Sequence, residues 1–271
     1  MRLAGLVAML ALVACGTEHR RGRARAALQE MDLPRAERLY RDLAAQRPDD
    51  LDALYGLGWT YHLAGEQEQA RATFERCLSV APEAPDCLKG LGSVALADGN
   101  LEVAQQRFEQ ALQRAPQDPA IRNSLALLQL RAGRLEAAMT LYDQLCVEVP
   151  GEPAYAIGRA EVWLRLERHE EALAEVDRAL ALPHLGPRQE ALALTLRVRV
   201  LLASTAGRLD ETRCAETAPP VLAWLDQAEA DAERARGLGL DYDEPMSVIR
   251  QIRVRRRAIR RACPGLPQPP G

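Results

Sequence analysis

A chain that repeats itself every 34 residues without insertion has few folds open to it, and this one does so from residue 51 to residue 186. With blocks starting at Leu51, Pro85, Pro119 and Pro153, the twentieth position holds Ala70, Ala104, Ala138 and Ala172. The twenty-fourth holds Phe74, Phe108, Tyr142 and Val176, the seventh Leu57, Leu91, Leu125 and Arg159, and the eighth Gly58, Gly92, Ala126 and Ala160. Prolines stand near the ends of the first three blocks at Pro82, Pro116 and Pro150. Small residues recur at fixed offsets, where helices must touch.

Each block carries two amphipathic runs of about a dozen residues, the spacing of a helix pair. Gly65, Gly99 and Gly133 separate the runs and suit the left-handed turn that ends a helix tightly. Asn100 is placed to cap a helix starting at Leu101, and Asp118 precedes Pro119, a proline fit for a first helical turn. Ala, Leu, Arg and Glu dominate while aromatics are 4%, so the fold expected is all-α. One helix pair cannot hide its own apolar face; stacked copies bury a continuous core, and a constant rotation between them gives a superhelix with a concave inner side.

The block 51–84 resembles the tetratricopeptide repeat, with Leu54, Leu57, Gly58, Tyr61, Gly65, Ala70, Phe74 and Pro82 at the family's positions and Cys77 in place of its usual alanine. Block 85–118 matches almost as well. An earlier block, 17–50, keeps Ala36, Tyr40 and Pro48 but has Arg23 where leucine is usual, as a terminal repeat with one uncovered face would. Block 153–186 is a weaker copy with Trp163 at its eleventh position. The resemblance implies a right-handed superhelical solenoid of five helix-turn-helix repeats, 17–50, 51–84, 85–118, 119–152 and 153–186.

Beyond residue 186 the register fades. A helix is expected over 187–203, a loop over 204–220 marked by Gly207, Cys214, Pro219 and Pro220, and helices over 221–236 and 245–263, together a divergent repeat and a capping helix. The tail 264–271, with four prolines, is expected to be disordered. The last helix interleaves Arg250, Arg253, Arg255, Arg256, Arg257, Arg260 and Arg261 with Met246, Ile249, Ile252 and Ile259. Two readings fit: a surface for anionic headgroups or an acidic partner, or, preferred here, a buried stripe under a basic face paired with Asp226, Glu229, Asp231 and Glu233.

At the other end, Arg2 precedes an apolar run from Leu3 to Val13, too short to span a bilayer stably and followed by Ala14 and Cys15. Residues 1–14 read as an export signal, and the four residues ending at Cys15 resemble a bacterial lipoprotein box. That resemblance implies acylation of Cys15 and a mature array, 15–186, held on a membrane; Gly16 rather than Asp after the cysteine points to the outer membrane, facing the periplasm. In an exported chain, Cys77 with Cys87 and Cys214 with Cys263 are candidate disulfides. The alternative places Cys77 and Cys146 in helix cores as small apolar fillers, the reading preferred for Cys146.

A net charge of −3 gives no global basic face for nucleic acid. His19, His62, His169 and His184 are scattered without metal-ligand partners, no Cys-x-x-Cys occurs, and Gly56-Leu57-Gly58 and Gly90-Leu91-Gly92 fall inside helices rather than in phosphate loops. No metal, cofactor, small-molecule substrate or enzymatic activity is expected. In the family geometry the first helix of each repeat lines the concave groove, which assigns to it Tyr55, Trp59 and His62, then Lys89 and Ser93, then Asn123, Leu127 and Arg131, then Ile157, Glu161 and Arg165. Aromatic anchors beside mixed polar groups suit a protein or peptide partner. The function expected is a lipid-anchored envelope scaffold, similar to the tetratricopeptide lipoproteins that serve pilus or secretion assembly. The alternatives are a module regulating a periplasmic cell-wall enzyme and an enzyme with a site within 187–263.

Overall fold

The computed structural model describes residues 17–183, 185–205, 208–238 and 244–266. The signal at 1–14, Cys15, His184, Gly207 and the end of the tail, 267–271, lie outside the described residues. Every regular element among the described residues is helical. Helix α1 covers 17–29, followed by α2 (Leu33–Gln46), α3 (Leu51–Leu63), α4 (Gln67–Val80), α5 (Pro85–Ala97), α6 (Leu101–Arg114) and α7 (Pro119–Arg131). Then come α8 (Leu135–Glu148), α9 (Pro153–Arg165), α10 (His169–Leu180), α11 (Pro187–Ser204), a 3₁₀ turn (Glu211–Arg213), α12 (Cys214–Gly237) and α13 (Glu244–Ala262).

The turn inside each repeat uses one backbone device. The fifteenth residue is left-handed in all five copies: Gly65, Gly99 and Gly133 at φ of 79°, 77° and 74°, and Met31 and Glu167 at 59°. A β-carbon there costs roughly 1–2 kcal/mol, so the two outer copies hold the turn against local preference. Caps fall where the side chains dictate: the amide of Val103 donates to Asn100 Oδ1 at 3.2 Å, and that of Ala120 to Asp118 Oδ1 at 2.8 Å.

The chain divides into two compact units, the first ending at Gly133 and the second beginning at Arg134. In the first, the twenty-fourth residue of each repeat is the keystone. Phe74 is fully buried, and a β-carbon added to Gly58 or Gly90 would lie 2.7 or 2.4 Å from its ring. Tyr40 meets Gly56 and Phe108 meets Gly92 at similar approach, so glycine is required for helices to close over the rings. Arg23 is exposed, consistent with an end repeat. A disulfide joins Cys77 on α4 to Cys87 on α5, both buried.

The second unit has two apolar centres, one of Ala160, Ala172, Val176, Leu196 and Val200, the other of Val198, Leu225, Ile249, Ile252 and Ile259. A second disulfide, Cys214–Cys263, ties the start of α12 to the residue after α13.

Three expectations are corrected here. The loop 204–220 is shorter, because α12 begins at Cys214 and takes Pro219 and Pro220 inside it. Those prolines deprive the carbonyls of Ala215 and Glu216 of amide donors, a loss that exposed residues tolerate better than buried ones, and both residues are exposed. Asp231 pairs with Arg197 rather than with the arginines of α13. Cys146 is not a core filler: it is half-buried and free, its thiol pushed up in pKa by burial, with nearby Arg159 pulling the other way.

Candidate protein-binding face

In the first unit the first helices of successive repeats lie side by side, α3 against α5 and α5 against α7. Tyr55 and Trp59, one turn apart on α3, stack with ring centroids 6.3 Å apart and planes 16° from parallel. Trp59 lies 5.0 Å from the ring of His62, whose Nδ1 sits 2.9 Å from Gln67 Oε1. The inner edges of this row join the core, since Tyr55 lies 6.2 Å from Phe74 and Trp59 packs against Ala70, Phe74, Leu91 and Val94. All three rings are half-buried, with one side in the protein and one side out.

Lys89, the sole lysine, stands beneath the row. Its Nζ lies 5.5 Å from the Tyr55 ring centroid and donates to Asp86 Oδ1 at 2.9 Å, and the residue is 8% exposed. Burial alone would lower its pKa, but Tyr55 and Asp86 outweigh burial and raise it, so the ammonium stays charged at neutral pH. Burial raises the Tyr55 phenol, which Lys89 partly offsets. A lysine held over a ring and salt-bridged fixes that ring in place.

Of the predicted groove residues in this unit, the structure brings Tyr55, Trp59, His62 and Lys89 together. Lys89 and Ser93 are not open contact groups: the lysine is spent on Asp86, and the Ser93 hydroxyl donates to the Lys89 carbonyl at 3.1 Å. Asn123 is half-buried on α7, while Leu127 at 37% exposure and the exposed Arg131 face outward. Ile157, Glu161 and Arg165 belong to the second unit. There Ile157 packs on the Val176 centre, and the Glu161 carboxylate accepts from Arg199 at 2.6 and 2.9 Å and from Arg165 at 3.4 Å. Asp86 is the residue sequence reasoning missed; its signal was the i, i+3 spacing to Lys89, which places opposite charges on one helix face.

Among the described residues, no three or more His, Cys, Asp or Glu side chains converge as a metal set, and no helix is long and apolar enough to cross a membrane. The face offers apolar rings, held in place from below by Lys89, and the exposed Leu127 and Arg131 of α7, a repertoire suited to protein recognition.

Residues 21–86 and 89–153 match the tetratricopeptide repeat family, and these repeats are tetratricopeptide repeats. The solved structures similar to the chain agree in fold. A tetratricopeptide repeat protein from Parabacteroides merdae, 17% identical, aligns over 88% of this chain and 84% of its own with a TM-score of 0.67. A thermophilic repeat protein from Thermus thermophilus is 21% identical over 69% of this chain and 98% of its own, with a TM-score of 0.60. PilF from Pseudomonas aeruginosa is 16% identical over 89% and 99% of the two chains, with a TM-score of 0.53. No curated protein matches the sequence.

Proposed function

We propose that the chain is a lipid-anchored scaffold of the bacterial cell envelope that holds a segment of another protein on the α3–α5–α7 face, in the assembly of a membrane, pilus or secretion complex. The observation that carries the binding reading is the stacked Tyr55–Trp59 row, half-exposed and braced by Lys89 and Asp86. Rigid aromatic rings with one free side contribute most of the binding energy at protein interfaces, because they bury much area at little entropic cost. Exposed Leu127 and Arg131 extend the face along α7.

Support for the envelope comes from the N-terminal sequence, where a short apolar run ends at Cys15, and from the two disulfides, which persist in oxidising compartments. The likeness to PilF is one of fold and is compatible with a role in pilus assembly.

Affinity capture from membrane fractions tests the face. The double variant Tyr55→Ala/Trp59→Ala loses a protein that the wild type retains, and Leu127→Asp loses it while melting as the wild type does. The Leu127 arm separates binding from folding, since Trp59 also touches the core. Unchanged capture by both variants overturns the proposal. Acyl labelling that survives Cys15→Ser overturns the anchor alone.

A further inference from the structure

The structure sorts six of the seven arginines of α13 into two sets, with the half-buried Arg260 between them. Three are consumed inward. Arg253 pairs with Glu229 at 2.6 Å and Glu233 at 3.6 Å, and Arg256 with Asp226 and Glu229, each at 2.6 Å. Arg255 donates to the Leu202 carbonyl at 2.8 Å and to Thr205 Oγ1 at 3.0 Å. Ile249, Ile252 and Ile259 bury the inner side of the helix, which fixes what its other side must present.

That other side carries Arg250, Arg257 and Arg261, all exposed and with no carboxylate within ion-pair reach among the described residues; Arg257 Nε donates to the Arg253 carbonyl of its own helix at 3.3 Å, which leaves its charge unneutralised. Counted from Arg250, Val254, Arg257 and Arg261 fall four, seven and eleven residues on, a single stripe of a 3.6-residue helix about 16 Å long. Val254 is 53% exposed between the cations. The exposed neighbours Gln251 and Ala258 are uncharged, so nothing acidic interrupts the stripe.

The geometry points to this stripe as a docking surface for the anionic headgroups of a phospholipid bilayer. Its charge complements phosphate, and phosphate binds guanidinium without needing a pocket. The surface is one convex helix flank, which has no cleft to enclose a peptide but lies flat against an extended charged plane. An aliphatic side chain among the cations suits the boundary between headgroups and acyl chains. The paired set on the inner side keeps the helix from turning to bury the stripe. This inference rests on α13 alone and is independent of the α3–α5–α7 face.

Each arginine brought to an anionic surface raises partitioning about fivefold, so three give about a hundredfold. The test is flotation of the full chain with vesicles of phosphatidylglycerol and phosphatidylethanolamine, against vesicles of phosphatidylcholine alone. The wild type prefers the anionic vesicles about a hundredfold in 0.1 M salt and loses that preference in 1 M salt, where the Debye length is about 3 Å. The variant Arg250→Gln/Arg257→Gln/Arg261→Gln loses the preference at low salt while keeping its helicity and its partitioning onto phosphatidylcholine. Equal partitioning of the wild type onto both vesicles overturns the inference, as does a preference that survives the triple substitution. Tight binding of an oligoglutamate peptide through the same arginines, with both vesicles ignored, overturns it in favour of an acidic protein partner.

Discussion

The first three repeats are joined by rings set into glycine, Tyr40 on Gly56 and Phe74 on Gly90; beyond Arg134 one more such contact gives way to guanidinium groups set between carboxylates. The change can be followed at single positions. The seventh residue of a repeat is a buried leucine at Leu57, Leu91 and Leu125, but in the fifth repeat it is Arg159, bonded to Glu175 at 2.8 Å and to Asp143 at 2.9 Å. The twenty-fourth is Tyr40, Phe74, Phe108 and Tyr142, then Val176. Tyr142 over Gly158 is the last ring-on-glycine contact, and beyond it Arg197 bridges Asp177 and Asp231. Apolar joints repeat because each copy meets an identical neighbour. Ionic joints do not need a repeat, since each is settled by whichever carboxylate comes within reach.

The largest effect expected is at the apolar joint. Phe74→Ala destabilises the first unit by about 3–5 kcal/mol, read as a lowered denaturant midpoint. Gly90→Ala alone costs about 1–3 kcal/mol by overpacking against the Phe74 ring, yet in the Phe74→Ala background it costs nothing, because the ring is gone and alanine favours the helix. Additive losses in this double-mutant cycle would mean that glycine and ring do not share one joint.

At the ionic joint, Arg197→Met costs about 3 kcal/mol or more by stranding Asp231, whose side chain is 3% exposed and left with only the Gln227 amide. Arg197→Met/Asp231→Leu recovers most of that loss, since a buried pair removed whole costs little. If the double variant is as unstable as the single, the joint is not ionic.

A smaller effect follows acidification. Burial pushes the Glu229 pKa up, but Arg253 and Arg256 outweigh it and hold the carboxyl below the ordinary glutamate range. A carboxyl lowered in the folded chain supplies stability that is complete above its ordinary value and is lost as pH falls through the folded value. The contact of α12 with α13 therefore weakens below about pH 4.3, the ordinary glutamate value, and not between pH 5 and 8. Amide-exchange protection in α13, taken relative to the intrinsic exchange rate at each pH, checks this, and the protection in Glu229→Gln should vary less with pH in that window.

The same contrast explains what could be read from the sequence. The 34-residue period gave away the helix pairs, their left-handed turns at Gly65, Gly99 and Gly133 and the small residues at helix contacts, because each rests on residues repeated at one offset. Arg197 and Asp231 lie on different helices with no motif marking them, so their pairing needed the structure. Pro219 and Pro220 read as a loop because local chemistry favours one; the Cys214–Cys263 bond and the burial of Ala218 hold a helix there instead. On the α3–α5–α7 face, the family geometry put Tyr55, Trp59 and Lys89 on one side, and the structure brings them together. The diversion of Lys89 to Asp86 was not legible, because an offset names a face and leaves open what a long side chain does on it.

The central claim, that the first unit grips another protein through its first helices, is tested most directly by photo-crosslinking. A photoreactive amino acid at Leu127, where the side chain is exposed, should join one protein species in the envelope, and the same label at Arg107 on α6 should join none. Equal crosslinking from both positions, or none from Leu127, would contradict the account.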